Sequence, residues 1–272
     1  MSNKILRDKN KSKFKLEGLP PIYYTNLDRS VERREYMEDQ FEYWGIENVT
    51  RISGYDGTGD DDLGSILKGR YPDQMGPTDV GCCTSHLKAI NQWYNESDSK
   101  CAIFMEDDCD LSPVKYWPFT WKEFYSKLPF DYDLIQLAVI NPAGITMKMH
   151  KRYVNDFSTA CFMMTRHHAK KIIDLTVRGK DKYRLDYKAK PRCNSEHLLY
   201  ESGNSFAIPL LLYSSDDHPS VIHAQEHIDS FHIPCRNALR GFWQEQANDV
   251  NWNEMFDYDP YVGRLPPNVK ME

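Results

Sequence analysis

Three adjacent carboxylates, Glu106, Asp107 and Asp108, follow an apolar run in the stretch CAIFMEDDCDL at 101–111. Like charges at successive positions repel, and desolvating them unpaired costs roughly several kcal/mol. A divalent cation turns that repulsion into coordination, and hard oxygen ligands suit Mn²⁺ or Mg²⁺. The plain alternative is a strand that ends at the surface in an acidic turn. A second cluster is basic: Arg29, Arg33 and Arg34 bracket the start of an apparent helix, SVERREYMEDQFEYWG. Cations in a first helical turn oppose the helix dipole, so an anion bound near that end would explain them. Arg33 or Arg34 could equally pair with Asp107 or Asp110 and hold the acidic cluster together. The third is HAQEH, His223 to His227, which fits the H-x-x-E-H order of inverted zinc peptidases, with Glu226 as general base. Against it, the segment follows PSVI, which reads as a strand, and few residues remain downstream for the further carboxylate such a site needs. A late-strand His223 suits the shell of a metal held at the carboxylates better, with His227 and Ser230 at the same rim.

These residues need a scaffold that brings them together. PPIYYTNL (20–27) reads as a first strand, followed by a helix with Ser30 as N-cap, Gly45 as stop, and Met37, Phe41 and Trp44 as its apolar stripe. NVTRISGYDG reads as a second strand ending in a glycine-rich turn, and 57–80, with Asp60, Asp61 and Asp62, as an exposed loop. TSHLKAINQWYNES (84–97) predicts a helix capped by Thr84 or Ser85, and the strand 101–106 follows. YDLIQLAVI (132–140) and FSTACFMMT read as strands, RHHAKKIIDLTVRG as a helix closed by Gly179, and SFAIPLLLY and SVIH as the last strands. Strand and helix alternate, the pattern of an α/β fold with a mostly parallel central sheet flanked by helices. In such sheets ligands bind beyond the carboxyl ends of the strands, where TNLDRS, SGYDG, EDD and the late IH all fall.

The whole chain sets bounds. With 272 residues, 40% of them hydrophobic and 13% aromatic, it is a globular composition that can bury one large core or two small ones. A formal net charge of −6 argues against a general nucleic-acid binder. Seven cysteines, with Cys82 and Cys83 adjacent, show no paired framework and predict a reducing, cytoplasmic setting. The basic, polar start, MSNKILRDKNKSKFKLEG, has no apolar core and reads as a flexible arm over 1–18, neither signal peptide nor membrane anchor. Without a secretory signal, the N-x-S/T triplets at Asn48 and Asn95 read as chance.

The order of four segments resembles glycosyltransferase family 25, which includes lipopolysaccharide sugar transferases and collagen galactosyltransferases. YTNLDRSVERREYMEDQF resembles its opening NLD-R-x-x-R-R-x-x-M motif, GCCTSHLKAI its GC-x-x-SH segment, AIFMEDDCDL its EDD segment, and STACFMMTRHHAKKII its small-residue strand and helix. The resemblance covers residues 22–175 and is loose beyond them. It implies a GT-A (Rossmann-like) fold over 19–272, with a nucleotide-sugar and metal half at 19–175 and an acceptor half at 176–272. It further implies a UDP-hexose donor, galactose or glucose, a hydroxyl on a glycan, lipid or protein as acceptor, inversion at the sugar, and Mn²⁺ or Mg²⁺ as cofactor. By the same resemblance, Asp108 holds metal and Glu106 metal or ribose, with Asp107 and Asp110 behind them and His223 completing the shell. Asn26 and Leu27 wall the nucleoside, and Arg29 and Arg33 face its phosphates. With the resemblance, Ser85 and His86 line the nucleotide or metal; in the turn SGYDG itself, Tyr55 and Asp56 could stack on and hydrogen-bond the base, against plain packing for the aromatic. The family's late acidic residue, the base, maps most nearly onto Glu196 in PRCNSEHLLY, where the plain reading is a first-turn helical Glu. The competing readings are the zinc peptidase and a non-catalytic sugar-nucleotide-binding module.

Overall fold

The apolar runs become strands because their alternate side chains enter two different hydrophobic layers. The computed structural model describes residues 10–59, 61–69, 75–185, 194–213, 220 and 223–258. Among them the strands are β1 (Ile22–Asn26), β2 (Val49–Ser53), β3 (Cys101–Glu106), β4 (Cys109–Asp110), β5 (Leu134–Gln136), β6 (His150–Lys151), β7 (Cys161–Thr165), β8 (Ser205–Ala207) and β9 (Leu212–Tyr213). The helices that matter for the site are α1 (Val31–Trp44), the short α2 (Leu63–Ile66), α3 (Pro77–Glu96), α4 (Trp121–Ser126), α5 (Arg166–Thr176) and α6 (Ser195–Tyr200). On β3, Ile103 and Met105 pack with Met37, Phe41 and Trp44 of α1. Ala102 and Phe104, one residue out of phase, pack with Leu87, Ile90 and Trp93 of α3 and with Ile172 of α5. Each large side chain so buried contributes about 1.5–3 kcal/mol against leaving it in water.

Seven strands form one sheet in the order β2-β1-β3-β7-β5-β8-β6, and β4 pairs with β9 apart from it. β1 runs parallel to β2 and β3, and β5 parallel to β8, whereas β7 and the edge strand β6 run against their neighbours. The α/β architecture expected from the alternation is therefore present, a predominantly parallel sheet with β7 reversed at its centre. Because β8 pairs with β5, the halves expected at 19–175 and 176–272 share this sheet. The register sets Asn26 opposite Ser53 and Thr25 opposite Glu106, so three strands end at one level. Since α1 and α3 cover opposite faces, a crevice opens above those ends.

Several elements differ from expectation. α3 begins at Pro77, well before Thr84, with Pro77 in its first turn and Asp79 accepting from the backbone N–H of Gly76 at 3.0 Å. The strand expected at 132–140 is ladder-paired only over Leu134–Gln136, beyond which Ile140 bridges Phe157. Pro209 lies between β8 and β9, which join different sheets. Neither β6 nor the helical segment from Gln225 to Phe256 was foreseen. Within the span expected as an arm, Lys13–Leu16 form a 3₁₀ turn and bury Leu16, while residues 1–9 lie outside the described residues. Asp60 and half of the last expected strand, at 221–222, also lie outside them.

Candidate active site

β3 delivers Glu106 to the crevice, and the turn after it presents Asp107 and Asp108. Arg33 holds this turn. Its Nε and Nη2 donate to Asp107 Oδ1 at 2.8 and 2.6 Å, and Nη2 lies 3.2 Å from Asp108 Oδ2. Asn26, at the end of β1, donates to Asp107 Oδ2 at 2.7 Å. The sequence left open whether Arg33 faces an anion or the acidic cluster; the geometry shows it neutralising the cluster, with its guanidinium also on a cavity wall. Asp107 is thereby spent on holding the turn. Asp108 is not: its Oδ1 is buried and has no hydrogen-bond donor among the described residues. Burial, opposed by Arg33 and reinforced by Glu106 and Asp107, pushes its carboxyl up to about 7.

Glu106 behaves differently. Its Oε1 lies 3.0 Å from His86 Nε2 and accepts from Thr159 Oγ1 at 2.6 Å, with Cys82 Sγ at 4.0 Å. Burial alone would raise this carboxyl, but the hydrogen bond and charge of His86, then Thr159, bring it below its ordinary value. Burial also pushes the Cys82 thiol up, so it stays protonated.

Two cavities meet at these carboxylates. The smaller, about 100 Å³, is walled by Asn26 and Leu27 at the end of β1, by Tyr55 and Asp56 after β2, and by Arg29 and Ser85. Arg29 pairs with Asp56 through Nε and donates to Thr58 Oγ1 at 3.0 Å, holding Asp56 well below the usual carboxylate range. The larger, about 330 Å³, is lined by Ser158, Thr159, Glu196 and three histidines, His223, His227 and His232. Cys82, Glu106, Asp108 and Ser220 belong to both walls.

Glu196, in the first turn of α6, accepts from the backbone N–H of Ser158. Burial pushes its carboxyl up, although that N–H and Arg152 pull it back. Ser158 holds φ at 97°, a strained value for a residue other than glycine. Tyr200 and Gln136 fix it by donating to its carbonyl at 2.8 and 3.0 Å.

The structure thus gathers Asn26, Leu27, Arg29, Arg33, Tyr55, Asp56, Ser85, Glu106, Asp107 and Asp108 around the smaller cavity. One expectation needs correction. Ser85 is no N-cap: it lies inside α3, donates to Gly81 O at 2.6 Å and accepts from Tyr55 N at 2.8 Å, tying the β2 turn to the helix. His86 lies buried behind Glu106 and outside both cavity walls, with a ring nitrogen, Cys82 Sγ and a Glu106 oxygen all within 4.8 Å of one another. Asp110 lines neither cavity and closes a turn by accepting from Ser112 N at 2.7 Å. HAQEH is not one helix with its histidines a turn apart, since His223 precedes a helix of Gln225–His227, and Glu226 lines neither cavity. Sequence reading missed Thr159 and His232. Thr159 had a signal, a hydroxyl next to the small residues entering β7. His232 had none, for it meets His227 only through an unusual helical turn.

Residues 19–187 match the family model of glycosyltransferase family 25, described as an LPS biosynthesis protein. No curated protein matches the chain. Among solved structures it is similar to A197 from STIV, at 8% identity over 71% of this chain and 83% of that one, with a TM-score of 0.34. HddC from Yersinia pseudotuberculosis shares 11% identity over 75% of each chain, with a TM-score of 0.33. The glycosyltransferase GlyE of Streptococcus pneumoniae TIGR4 shares 8% identity over 88% of this chain and 62% of its own, with a TM-score of 0.34. Among the described residues no helix is long and apolar enough to cross a membrane.

Proposed function

This chain belongs to glycosyltransferase family 25 and is a glycosyltransferase, and from that premise we propose that it moves a hexose, galactose or glucose, from a UDP-sugar to a glycan hydroxyl with inversion at the anomeric carbon. The observation that carries this reading is the shared wall: Glu106 and Asp108 line both cavities, so a donor in the smaller and an acceptor in the larger meet at the same carboxylates. Asn26, Leu27 and Tyr55 wall the nucleoside. Arg29, partly exposed at the rim, faces the phosphates.

The donor set fits a hard cation. The orphaned Oδ1 of Asp108 is an oxygen ligand in want of a positive charge, and Glu106 adds a second carboxylate. Mn²⁺ or Mg²⁺ bound there would offset the charge on the leaving diphosphate. The chain's own residues do the rest. Arg33 and Asn26 fix the carboxylate turn, and His86 and Thr159 fix Glu106. The acceptor oxygen bonds to the anomeric carbon as the bond from that carbon to the diphosphate oxygen breaks, and UDP leaves. The hydroxyl proton passes to Glu196, whose raised affinity for a proton suits a base.

The test is a donor panel read by UDP release, with Mn²⁺ and after chelation. The expected result is release from UDP-galactose or UDP-glucose only when metal is present. Equal turnover after chelation removes the metal, and no turnover with either donor removes the UDP-hexose.

A further inference from the structure

We propose that His223, His227 and His232 form a metal site of their own on the wall of the larger cavity, one that takes a borderline transition-metal dication such as Zn²⁺. One ring nitrogen of each lies within 4.8 Å of those of the other two. A tetrahedral zinc with bonds of about 2.0–2.1 Å needs its nitrogens roughly 3.4 Å apart. His223 and His227 are exposed, so small ring rotations close that gap.

The local backbone makes the cluster. His227 ends the short helix Gln225–His227, and Ile228–His232 continues it as a π-helix. On α-helical pitch, a residue five positions on is swung about 140° away. The wider π turn instead brings i and i+5 toward one face, and the His227 and His232 ring centroids stand 5.3 Å apart. His223 stacks on His227 at 4.5 Å and meets His232 at 4.9 Å.

His232 carries the argument furthest. It is 4% exposed, and among the described residues neither ring nitrogen has a hydrogen-bond partner. Burying an imidazole with both nitrogens unsatisfied is unfavourable, and a ligated cation relieves it. Ser220 Oγ lies 3.1 Å from His223 Nδ1, which orients that ring and leaves Nε2 to ligate.

The donor set tells this site from the carboxylates. Three imidazoles select a borderline metal, whereas Glu106 and Asp108 offer the hard oxygens that suit Mn²⁺ or Mg²⁺. His223 is thereby reassigned from the carboxylate shell that the sequence suggested. Because all three histidines line the larger cavity, the fourth position faces it and takes an oxygen of the acceptor. Metal binding at the histidines does not depend on the identity of the donor.

The experiment uses the full chain stripped of metal and titrated with Co²⁺, followed by visible absorption, with Zn²⁺ as competitor. One equivalent of Co²⁺ is expected to give an intense tetrahedral spectrum that Zn²⁺ abolishes. His223→Ala and His227→Ala, both at exposed positions whose folding a melting curve checks, should weaken Zn²⁺ binding by about 100-fold or more, since even residues that merely orient ligands cost 10- to 100-fold. Asp108→Asn should leave it within about twofold, as expected of an independent site. Absence of the spectrum, unchanged affinity in both histidine variants, or equal loss in Asp108→Asn would each overturn the proposal, the last by showing one shared site.

Discussion

At Asp108 a buried carboxylate lies against two others with one guanidinium to answer them. Its folded pKa of about 7 stands above the ordinary carboxylate value, so the folded state holds a proton that the unfolded state has released. Stability from this group is therefore full below the unfolded pKa and is lost as pH rises toward about 7. Asp108→Asn removes that loss and leaves Arg33 its pairing with Asp107. Metal-free Asp108→Asn should melt at or above the wild type at pH 8, and the difference should shrink by pH 4. Its Mn²⁺-induced rise in melting temperature should vanish together with transfer. A sharp fall in the metal-free melting point at pH 8 would instead make Asp108 a residue that holds the fold.

At the scale of elements, the site depends on how closely α3 approaches the turn after β2. A Cβ on Gly81 would stand 2.6 Å from the carbonyl oxygen of Tyr55, and one on Gly57 would stand 2.1 Å from that of Pro77. Both obstacles are backbone, so neither can swing aside. Gly81→Ala should destabilise the protein by about 1–3 kcal/mol, the usual cost of overpacking. It should also weaken UDP binding, because the displaced turn carries Tyr55 and Asp56. Gly241→Ala is the control: among the described residues nothing lies within 4 Å of its added Cβ, and because the helix continues through Phe242–Gln246 the change should be neutral or mildly stabilising. Melting curves and calorimetric UDP titration of the two variants separate these outcomes, and equal behaviour would mean that the α3 contact does not shape the cavity.

Across the whole molecule, one sheet carries the carboxylates near its centre and sets Glu196 against them from α6, ninety residues later in the chain. Glu196 lines only the larger cavity. Glu196→Gln should therefore lower kcat by roughly 10²- to 10⁴-fold while UDP binding stays intact. If Glu196 merely favours the dipole of its helix, the change costs at most about 1 kcal/mol of stability and kcat hardly moves. Steady-state kinetics beside calorimetry distinguishes the two. A product that keeps the donor's anomeric configuration would remove the single-base mechanism.

The sequence by itself determined the α/β class, the strand carrying the carboxylates and the apolar stripe of α1, because each follows from periodicity within one segment. Order along the chain also fixed the family, since four motifs can be matched without knowing where they meet. Only the tertiary structure decided which groups are spent and which are free. Asp107 and Asp108 are neighbours of the same type, yet Arg33 and Asn26 satisfy the first and leave an oxygen of the second bare. His86 and Ser85 look like a helix start in the sequence but sit inside a longer helix, one behind Glu106 and the other under Tyr55. The reversal of β7 and the π turn that brings His232 to His227 depend on pairing and packing with distant residues. No local pattern encodes such contacts, because hydrogen bonding and burial are satisfied across the fold and not along the chain.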